Sequence, residues 1–97
     1  MDDLESAEGF DWEDGNRNKY WISRKVTATE CEMVFFNRPL VVIEDEKHSA
    51  FESRVYAFGK TDLDRPLIVA FCLRKKRIRV ISARDMDKKE RIFYESR

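Results

Sequence analysis

The sequence has few of the residues that hold metals, disulfides or tight turns. Its 97 residues include two cysteines, one histidine, three glycines and two prolines. Cys31 and Cys72 lie far apart and form no CxxC or Cys/His spacing. We therefore expect two reduced, buried thiols rather than a disulfide or a zinc site. No metal site and no cofactor are predicted.

Long apolar runs are also missing. The longest one, from Pro66 to Leu73, is far shorter than the roughly 20 residues that a membrane-spanning helix needs. The acidic start of the chain lacks the cationic and apolar pattern of a signal peptide. We expect a cytoplasmic protein that makes no contact with membranes.

The net charge is zero, but the two signs are segregated along the chain. The 19 Lys and Arg residues balance 19 Asp and Glu residues. The first 14 residues contain no cation and seven acids, which are Asp2, Asp3, Glu5, Glu8, Asp11, Glu13 and Asp14. From Arg74 to Arg97, ten cationic residues oppose four acidic ones. A basic face on a small domain favours binding to a polyanion, most simply a nucleic acid.

The length allows one domain with one core. Residues 1–8 have Leu4 as their only large apolar residue after Met1, so we predict a flexible acidic tail before a single domain over residues 9–97. Residues 10–13 alternate aromatic with acidic side chains, which predicts a short edge strand. Residues 16–24 are predicted to form a first helix.

Two capping boxes predict where two further helices begin. Thr27 and Glu30 start one, and an Asn-Arg-Pro sequence ends it. Asp87 and Glu90 start the other, which we place over residues 88–94. The apolar stripe of the earlier helix consists of Ala28, Cys31, Val34 and Phe35.

Four consecutive stretches have the composition of strands. They are residues 40–43, 54–59, 67–73 and 77–80. The third is apolar on both faces, which predicts a central strand that is covered on both sides. After Val80 the alternation breaks, so Ile81, Ala83 and Arg84 are expected to lead out of the strand.

The link between the last two strands is basic and contains no glycine. Its residues are Arg74, Lys75 and Lys76, and we expect a turn of three or four residues that avoids left-handed backbone. Together these elements predict an α+β fold. Its antiparallel sheet has four consecutive strands, preceded by a short N-terminal strand and two helices and followed by a C-terminal helix.

The order and spacing of these blocks resemble the BrnT family, toxins of bacterial type II toxin–antitoxin pairs with the fold of the RelE ribonuclease toxins. The similarity extends from Phe10 to Tyr94. The blocks that carry it are Phe10-Asp11-Trp12-Glu13, Val34-Phe35-Phe36 with Pro39-Leu40, Asp45-Glu46-Lys47-His48-Ser49, Arg54 before a strand ending at Gly59, and Arg79-Val80-Ile81-Ser82-Ala83-Arg84 leading into Lys89-Glu90-Arg91. The resemblance implies a RelE-like endoribonuclease that cleaves RNA and inhibits translation. It also implies a BrnA-like ribbon-helix-helix antitoxin that forms a heterotetramer with the toxin. Only the antitoxin would contact operator DNA.

One departure from the family pattern bears on chemistry. Where the family usually has Lys-His-Gly-Val, this chain has Ser23-Arg24-Lys25-Val26. Arg24 can stabilise charge but cannot exchange a proton near neutral pH. The leading alternative is therefore a catalytically weakened or inactive module that binds partner protein or RNA. A DNA-binding domain is a weaker alternative, because no recognition-helix pattern is visible.

Cleavage of RNA without a metal needs a base for the 2′-hydroxyl, cations for the phosphorane and an acid for the departing 5′-oxygen. The resemblance implies that Arg and Lys dominate the site. The candidates for stabilising transition-state charge are Arg54, Arg79, Arg84, Lys19 and Arg24. His48 has an ordinary pKa suited to acid–base work, with Tyr94 and Glu52 in reserve. A lone histidine in a charged loop is more often merely solvated.

A second set of cations is predicted to position the RNA backbone. These residues are Arg74, Lys75, Lys76, Arg77, Lys88 and Lys89. A solvated sheet face explains Arg77 and Arg79 equally well. Trp12, Trp21 and Tyr56 are candidates for base stacking, although aromatics at these spacings are more often core residues. The central expectation is that the candidate arginines converge on one side of the sheet.

Overall fold

The computed structural model describes Leu4 and residues 6–12, 25–45 and 54–97. Its elements are α1 (Ala28–Phe36), β1 (Val41–Asp45), β2 (Arg54–Lys60), β3 (Pro66–Arg74), β4 (Arg77–Asp85) and α2 (Lys88–Glu95). The strands form one antiparallel sheet in the order β1-β2-β3-β4. The predicted α+β class and the four consecutive antiparallel strands are confirmed. The helix predicted over residues 16–24 lies outside the described residues.

Helix α1 begins and ends where the sequence predicts. The backbone N–H of Glu30 donates to the Thr27 hydroxyl at 3.1 Å, and the Thr27 N–H donates to the Glu30 carboxylate at 3.0 Å. At the other end, the side-chain amide of Asn37 donates from Nδ2 to the Lys60 carbonyl at 2.9 Å, which fixes the end of α1 against β2. The four residues of the predicted apolar stripe are all buried.

The main core lies between α1 and one face of the sheet. Its buried members are Val26, Cys31, Val34, Phe35, Val55, Ala57, Leu67, Val69, Phe71, Ile78, Val80 and Ala83. The Phe35 and Phe71 rings meet edge to face at 5.0 Å, so α1 is locked against β3. Burying each large apolar side chain contributes about 1.5–3 kcal/mol. β3 is buried on both faces over most of its length, as predicted for the central strand.

Helix α2 covers one end of the opposite sheet face. Tyr94 is buried there with Ile68 and Met86, and its hydroxyl donates to the carbonyl of Pro39. The Phe93 ring contacts Phe58 at 5.4 Å. The predicted capping box fixes the start of α2, and none of the helices within the described residues is long and apolar enough to cross a membrane. Because α2 is short, its contacts are with that end of the face.

The N-terminal segment runs beside the outer edge of β4. The Ile78 N–H donates to the Gly9 carbonyl at 2.9 Å, and the Asp11 N–H donates to the Ile78 carbonyl at 2.8 Å. Phe10 and Ile78 thereby form a single parallel bridge rather than a longer strand pairing. The segment occupies the predicted edge, but a regular strand over residues 10–13 is not observed in the part that the structure describes. Glu13 lies outside that part.

Leu4 belongs to the predicted acidic tail and is half-buried against the main core together with Ala7. The Glu8 N–H also donates to the Lys76 carbonyl at 2.6 Å. These contacts anchor the described part of residues 1–8 to the domain. The boundary at residue 8 stays a prediction.

The prediction for the end of β4 is wrong. The strand does not stop after Val80 but continues to Asp85. Phe71 pairs with Val80 and Ala70 pairs with Ser82, so Ile81 is an extra residue in a β-bulge. The break in alternation after Val80 is this bulge, and β4 continues to pair with β3 beyond it.

The prediction of a longer turn before β4 is also wrong. Arg74 pairs with Arg77, which leaves a turn of only Lys75 and Lys76. Both residues are left-handed, with φ of 53° and 64°, as in a type I′ turn. The long antiparallel register between β3 and β4 imposes this tight connection despite the missing glycine. The left-handed conformation costs roughly 1–2 kcal/mol for each lysine.

Candidate functional site

The sheet face opposite α1 carries the predicted arginines. Directly paired residues of neighbouring strands project to the same side of a sheet. The pairs on this side are Asp45 with Arg54, Tyr56 with Ala70, Ala70 with Ser82, Ile68 with Arg84, Cys72 with Arg79, and Arg74 with Arg77. We call the polar part of it the open face, which consists of Asp45, Arg54, Tyr56, Arg74, Arg77, Arg79, Ser82 and Arg84. The three principal candidate arginines therefore share one face, as expected.

The Tyr56 hydroxyl lies among charged groups on the open face. It donates to Asp45 Oδ2 at 2.8 Å. This hydrogen bond, together with burial and the Asp45 charge, raises the pKa of Tyr56, while Arg54 acts in the opposite direction through a hydrogen bond and its charge. Arg84 also interacts electrostatically with this phenol. Tyr56 thus links three charged residues from β1, β2 and β4.

The position of Tyr56 among charged groups was not predicted from the sequence, where it is a candidate only for base stacking or the core. The available signal is the strand alternation, since Arg54 and Tyr56 stand two positions apart and so project to the same side. Asp45 belongs to another strand, and its partnership with Tyr56 follows only from the register of β1 with β2.

Arg84 is oriented by Glu90 of α2. Its Nη1 and Nη2 lie 2.7 and 2.8 Å from the two carboxylate oxygens of Glu90, a bidentate ion pair. Nη1 also donates to the Asp85 carbonyl at 3.1 Å. The hydrogen bonds from Arg84 and then from the Asp87 N–H lower the pKa of Glu90 to about 2. The Arg84 side chain remains 42% exposed, so the ion pair positions it without enclosing it.

The predicted RNA-positioning cations occupy two places. Arg74, Lys75, Lys76 and Arg77 form the exposed end of the β3–β4 hairpin, and Lys88 and Lys89 are exposed in the first turn of α2. Arg77 also has a structural contact, because its Nη2 donates to the Phe10 carbonyl at 2.9 Å. Contact of these cations with RNA stays a prediction.

Three predicted catalytic residues, Lys19, Arg24 and His48, lie outside the described residues, as do Glu52 and Trp21. Lys25, next to Arg24, is described and has a φ of 53°. The resemblance implies a glycine at this position, and glycine tolerates such backbone best.

Two other candidates have packing roles. Trp12 is half-buried, and its indole N–H donates to Glu32 at 2.7 Å. Tyr94 is buried, which raises its pKa, and its hydroxyl is committed to the Pro39 carbonyl. Neither side chain is presented to the open face.

Arg65 is a structural residue that the sequence analysis missed. Its Nε and Nη2 lie 2.7 and 3.0 Å from the Asp85 carboxylate, and its Nη1 lies 3.1 Å from Glu30 and 2.9 Å from the Lys25 carbonyl. These bonds join the start of α1 to the end of β4. The hydrogen bond from Arg65 lowers the pKa of Asp85. Its partners are 20 to 40 positions away, so no local pattern indicates the cluster.

A cavity of about 570 Å³ lies on the other side of the sheet, near the end of α1. Its lining is mostly apolar and includes Phe10, Phe35, Phe36 and Leu40. Arg38 is the one cation among its lining residues. The open face is therefore the better site for a phosphodiester.

The open face carries groups that suit the binding of a phosphate. It holds guanidinium donors, a phenol and a serine hydroxyl, and guanidinium groups match phosphate geometry. Among residues 6–12, 25–45 and 54–97 together with Leu4, no cluster of three or more His, Cys, Asp or Glu is arranged to hold a metal ion. Cys31 and Cys72 are buried thiols, as the sequence predicts.

Comparison with known proteins assigns the chain to a family. A mitochondrial heat shock protein 60 from Ajellomyces capsulatus is 35% identical over 69 residues, which is 70% of this chain and only 11% of that protein. No function is carried over from so small a part. The family model for "Ribonuclease toxin, BrnT, of type II toxin-antitoxin system" matches residues 12–90, a range that includes the whole open face. The chain belongs to this family of BrnT ribonuclease toxins.

Proposed function

We propose that the toxin cleaves RNA at the open face without a metal ion and thereby inhibits translation in the cytoplasm. The observation that carries the proposal is that Arg54, Arg79 and Arg84 share one face of the sheet with Tyr56, whose hydroxyl is influenced by the charges of Arg54 and Arg84. The arginines stabilise the negative charge that develops on the pentacoordinate phosphorane. One well-aimed donor is typically worth about 3–4 kcal/mol, or roughly 100- to 1000-fold in rate.

The cations outside this centre hold the RNA backbone. The hairpin end and the first turn of α2 both present exposed cations, from Arg74 to Arg77 and at Lys88 and Lys89. Such phosphate contacts release counterions, so RNA affinity falls as salt rises, with a slope that grows by about one unit per contact. They carry no sequence information themselves.

The test is cleavage of an end-labelled oligoribonucleotide by purified protein in excess chelator. The expected product ends in a 2′,3′-cyclic phosphate, and a substrate with a single 2′-deoxynucleotide at the cleaved position should remain intact. Arg54→Ala and Arg79→Ala are expected to lose activity. Arg91→Ala is the matched control, because Arg91 is an exposed cation on α2 outside the open face. Cleavage that stops in chelator, or that survives the 2′-deoxy substitution, contradicts the proposal.

The partner of the toxin is a BrnA-like antitoxin with a ribbon-helix-helix DNA-binding part. We infer that an acidic segment of the antitoxin covers the open face, because the five arginines of this face attract negative charge. The complex is a heterotetramer and reaches operator DNA only through the antitoxin. Titration with the antitoxin should abolish RNA cleavage, and the mass of the complex in solution should equal two copies of each chain. Full cleavage at saturating antitoxin refutes occlusion of the site.

A catalytically weakened module that binds RNA or protein is the second candidate function. It is favoured by the replacement of the family histidine by Arg24 and by the left-handed backbone of Lys25 where the resemblance implies glycine. Both candidates predict RNA binding that weakens with salt. If the wild-type chain shows no turnover and Arg24→His cleaves RNA, the chain is such a weakened module. Turnover by the wild-type chain excludes this candidate.

A further inference from the structure

RNA cleavage at the open face requires proton transfer as well as charge stabilisation. Arginine remains protonated in proteins, so the guanidinium groups there cannot exchange a proton at neutral pH. The sequence contains one histidine, at position 48, and it lies outside the described residues. Among the described residues of the open face, the groups able to exchange a proton are Asp45, Tyr56 and Ser82.

Tyr56 has the most suitable surroundings of these three. Its row of the sheet runs through Ala70 to Ser82, and its hydroxyl donates to Asp45 of β1 at 2.8 Å. Arg54 precedes it by two residues on the same face, and its charge acts on the phenol. Arg84, on β4 of the same face, adds the charge of a second cation. A phosphate held by both guanidinium groups would lie against the phenol.

Resting on the proposed ribonuclease function, we propose that Tyr56 is the catalytic acid that protonates the departing 5′-oxygen of the RNA. In this step the 2′-oxygen forms a bond to phosphorus as its proton passes to water, and the bond from phosphorus to the 5′-oxygen breaks. The Tyr56 proton moves to that oxygen. The resulting phenolate is then reprotonated by water, so that no proton is gained or lost overall.

The contacts of Tyr56 suit an acid rather than a base. The hydrogen bond to Asp45 raises the pKa of Tyr56 above its ordinary value, which keeps the phenol protonated at neutral pH. Rotation about the single C–O bond redirects the proton from Asp45 to the substrate. Once the proton has left, Arg54 and Arg84 stabilise the phenolate.

The decisive test compares two substrates that differ at one atom. In the first the leaving atom is the natural 5′-oxygen, and in the second it is sulfur. A thiolate leaves without being protonated, because thiols are far more acidic than alcohols. Tyr56→Phe is expected to cleave the oxygen substrate about 100- to 10,000-fold more slowly than wild type. It should cleave the sulfur substrate at nearly the wild-type rate.

The control is Tyr94→Phe, which removes a hydroxyl that is committed to the Pro39 carbonyl. It should preserve the wild-type rates on both substrates. Equal losses by Tyr56→Phe on both substrates, or no loss on either, overturn the assignment of Tyr56 while leaving the ribonuclease function intact. Wild-type protein that cleaves neither substrate overturns both proposals.

A second measurement keeps the native fold and does not depend on the stability of Tyr56→Phe. Fluorinated tyrosine placed at position 56 lowers the pKa of the phenol with little change in shape. If Tyr56 acts as the acid, the alkaline limb of kcat must move to lower pH with the oxygen substrate and must be absent with the sulfur substrate. An unmoved alkaline limb refutes the assignment.

Discussion

Arg79 and Arg84 project from the same face of β4 although five positions separate them, an odd number that would place them on opposite faces of a regular strand. Ile81 resolves the mismatch as the extra residue of a β-bulge between Val80 and Ser82. The core face shows the same effect. Val80 and Ala83 are both buried although they are three positions apart, which is also an odd number. A bulge typically increases the local twist of its strand, so this one contributes to the relative placement of the two arginines.

Deletion of Ile81 is the first predicted test of this relationship. It leaves every cross-strand pair of β4 intact and converts the bulge to a regular ladder. The unfolding temperature should therefore change by no more than about 5 °C, equivalent to about 1 kcal/mol. RNA cleavage should fall about 100-fold, because the loss of twist moves one arginine relative to the other.

The control for this deletion is insertion of an alanine after Ile81. This change shifts either the core residues or the arginines to the wrong face, and it should lower the unfolding temperature much more than the deletion does. Undiminished cleavage by the Ile81 deletion shows that the bulge does not set a catalytic distance.

A second prediction separates charge stabilisation from RNA positioning. Arg79→Ala should lower kcat roughly 100- to 1000-fold and leave RNA affinity almost unchanged. Lys88→Ala and Lys89→Ala should instead weaken binding and reduce the slope of log affinity against log salt by about one unit each. Cleavage rates and binding isotherms at several salt concentrations measure both effects. An Arg79→Ala variant that changes only the salt slope places Arg79 among the positioning cations.

A third prediction concerns the pH dependence contributed by Glu90. Its folded-state pKa of about 2 lies below its ordinary value of 4.5, so its stabilising effect is complete above about pH 5 and is lost as the pH falls to 2. Glu90→Gln should cost about 1–2 kcal/mol at pH 7, because the Arg84 ion pair and part of the helix cap are lost. The difference in free energy of unfolding between wild type and Glu90→Gln should shrink towards pH 2.

Denaturant unfolding of both proteins between pH 7 and pH 2 measures this gap. Glu95→Gln is the matched control, since Glu95 is an exposed acid at the end of the same helix. A gap that stays constant down to pH 2 excludes the ion pair as its origin.

A fourth prediction uses the left-handed turn of the β3–β4 hairpin. Lys76 has a φ of 64°, a conformation that glycine adopts without steric cost. Lys76→Gly should therefore stabilise the chain by about 1 kcal/mol. The same substitution at Lys89 is the control, and it should destabilise the chain by about 1 kcal/mol because Lys89 is inside a helix. Destabilisation by Lys76→Gly argues against the two-residue turn.

Features set by neighbouring residues were predictable from the sequence. Thr27 with Glu30 and Asp87 with Glu90 form their caps within one helical turn, so the two helix starts follow from local chemistry. The burial of β3 likewise follows from its composition, because its residues before Arg74 are all apolar.

Features imposed by distant partners were not predictable. The register with β3 forces Lys75 and Lys76 into left-handed backbone and extends β4 past the bulge. The shared face of Arg54 and Arg84 was expected mainly from the family resemblance. The hydrogen bond of Tyr56 to Asp45 depends on how β1 pairs with β2, which no local pattern encodes.

The last prediction concerns the two thiols. Burial raises the pKa of the Cys31 thiol to about 12, so at pH 8 this thiol stays protonated and unreactive. Cys72 is 1% exposed. Native protein treated with a thiol-specific chromogenic disulfide at pH 8 should release almost no dye, whereas protein in 6 M guanidinium should release two equivalents. Cys31→Ala and Cys72→Ala assign any residual reaction to one position. Rapid modification of native protein at Cys31 contradicts the buried position of this side chain on the core face of α1.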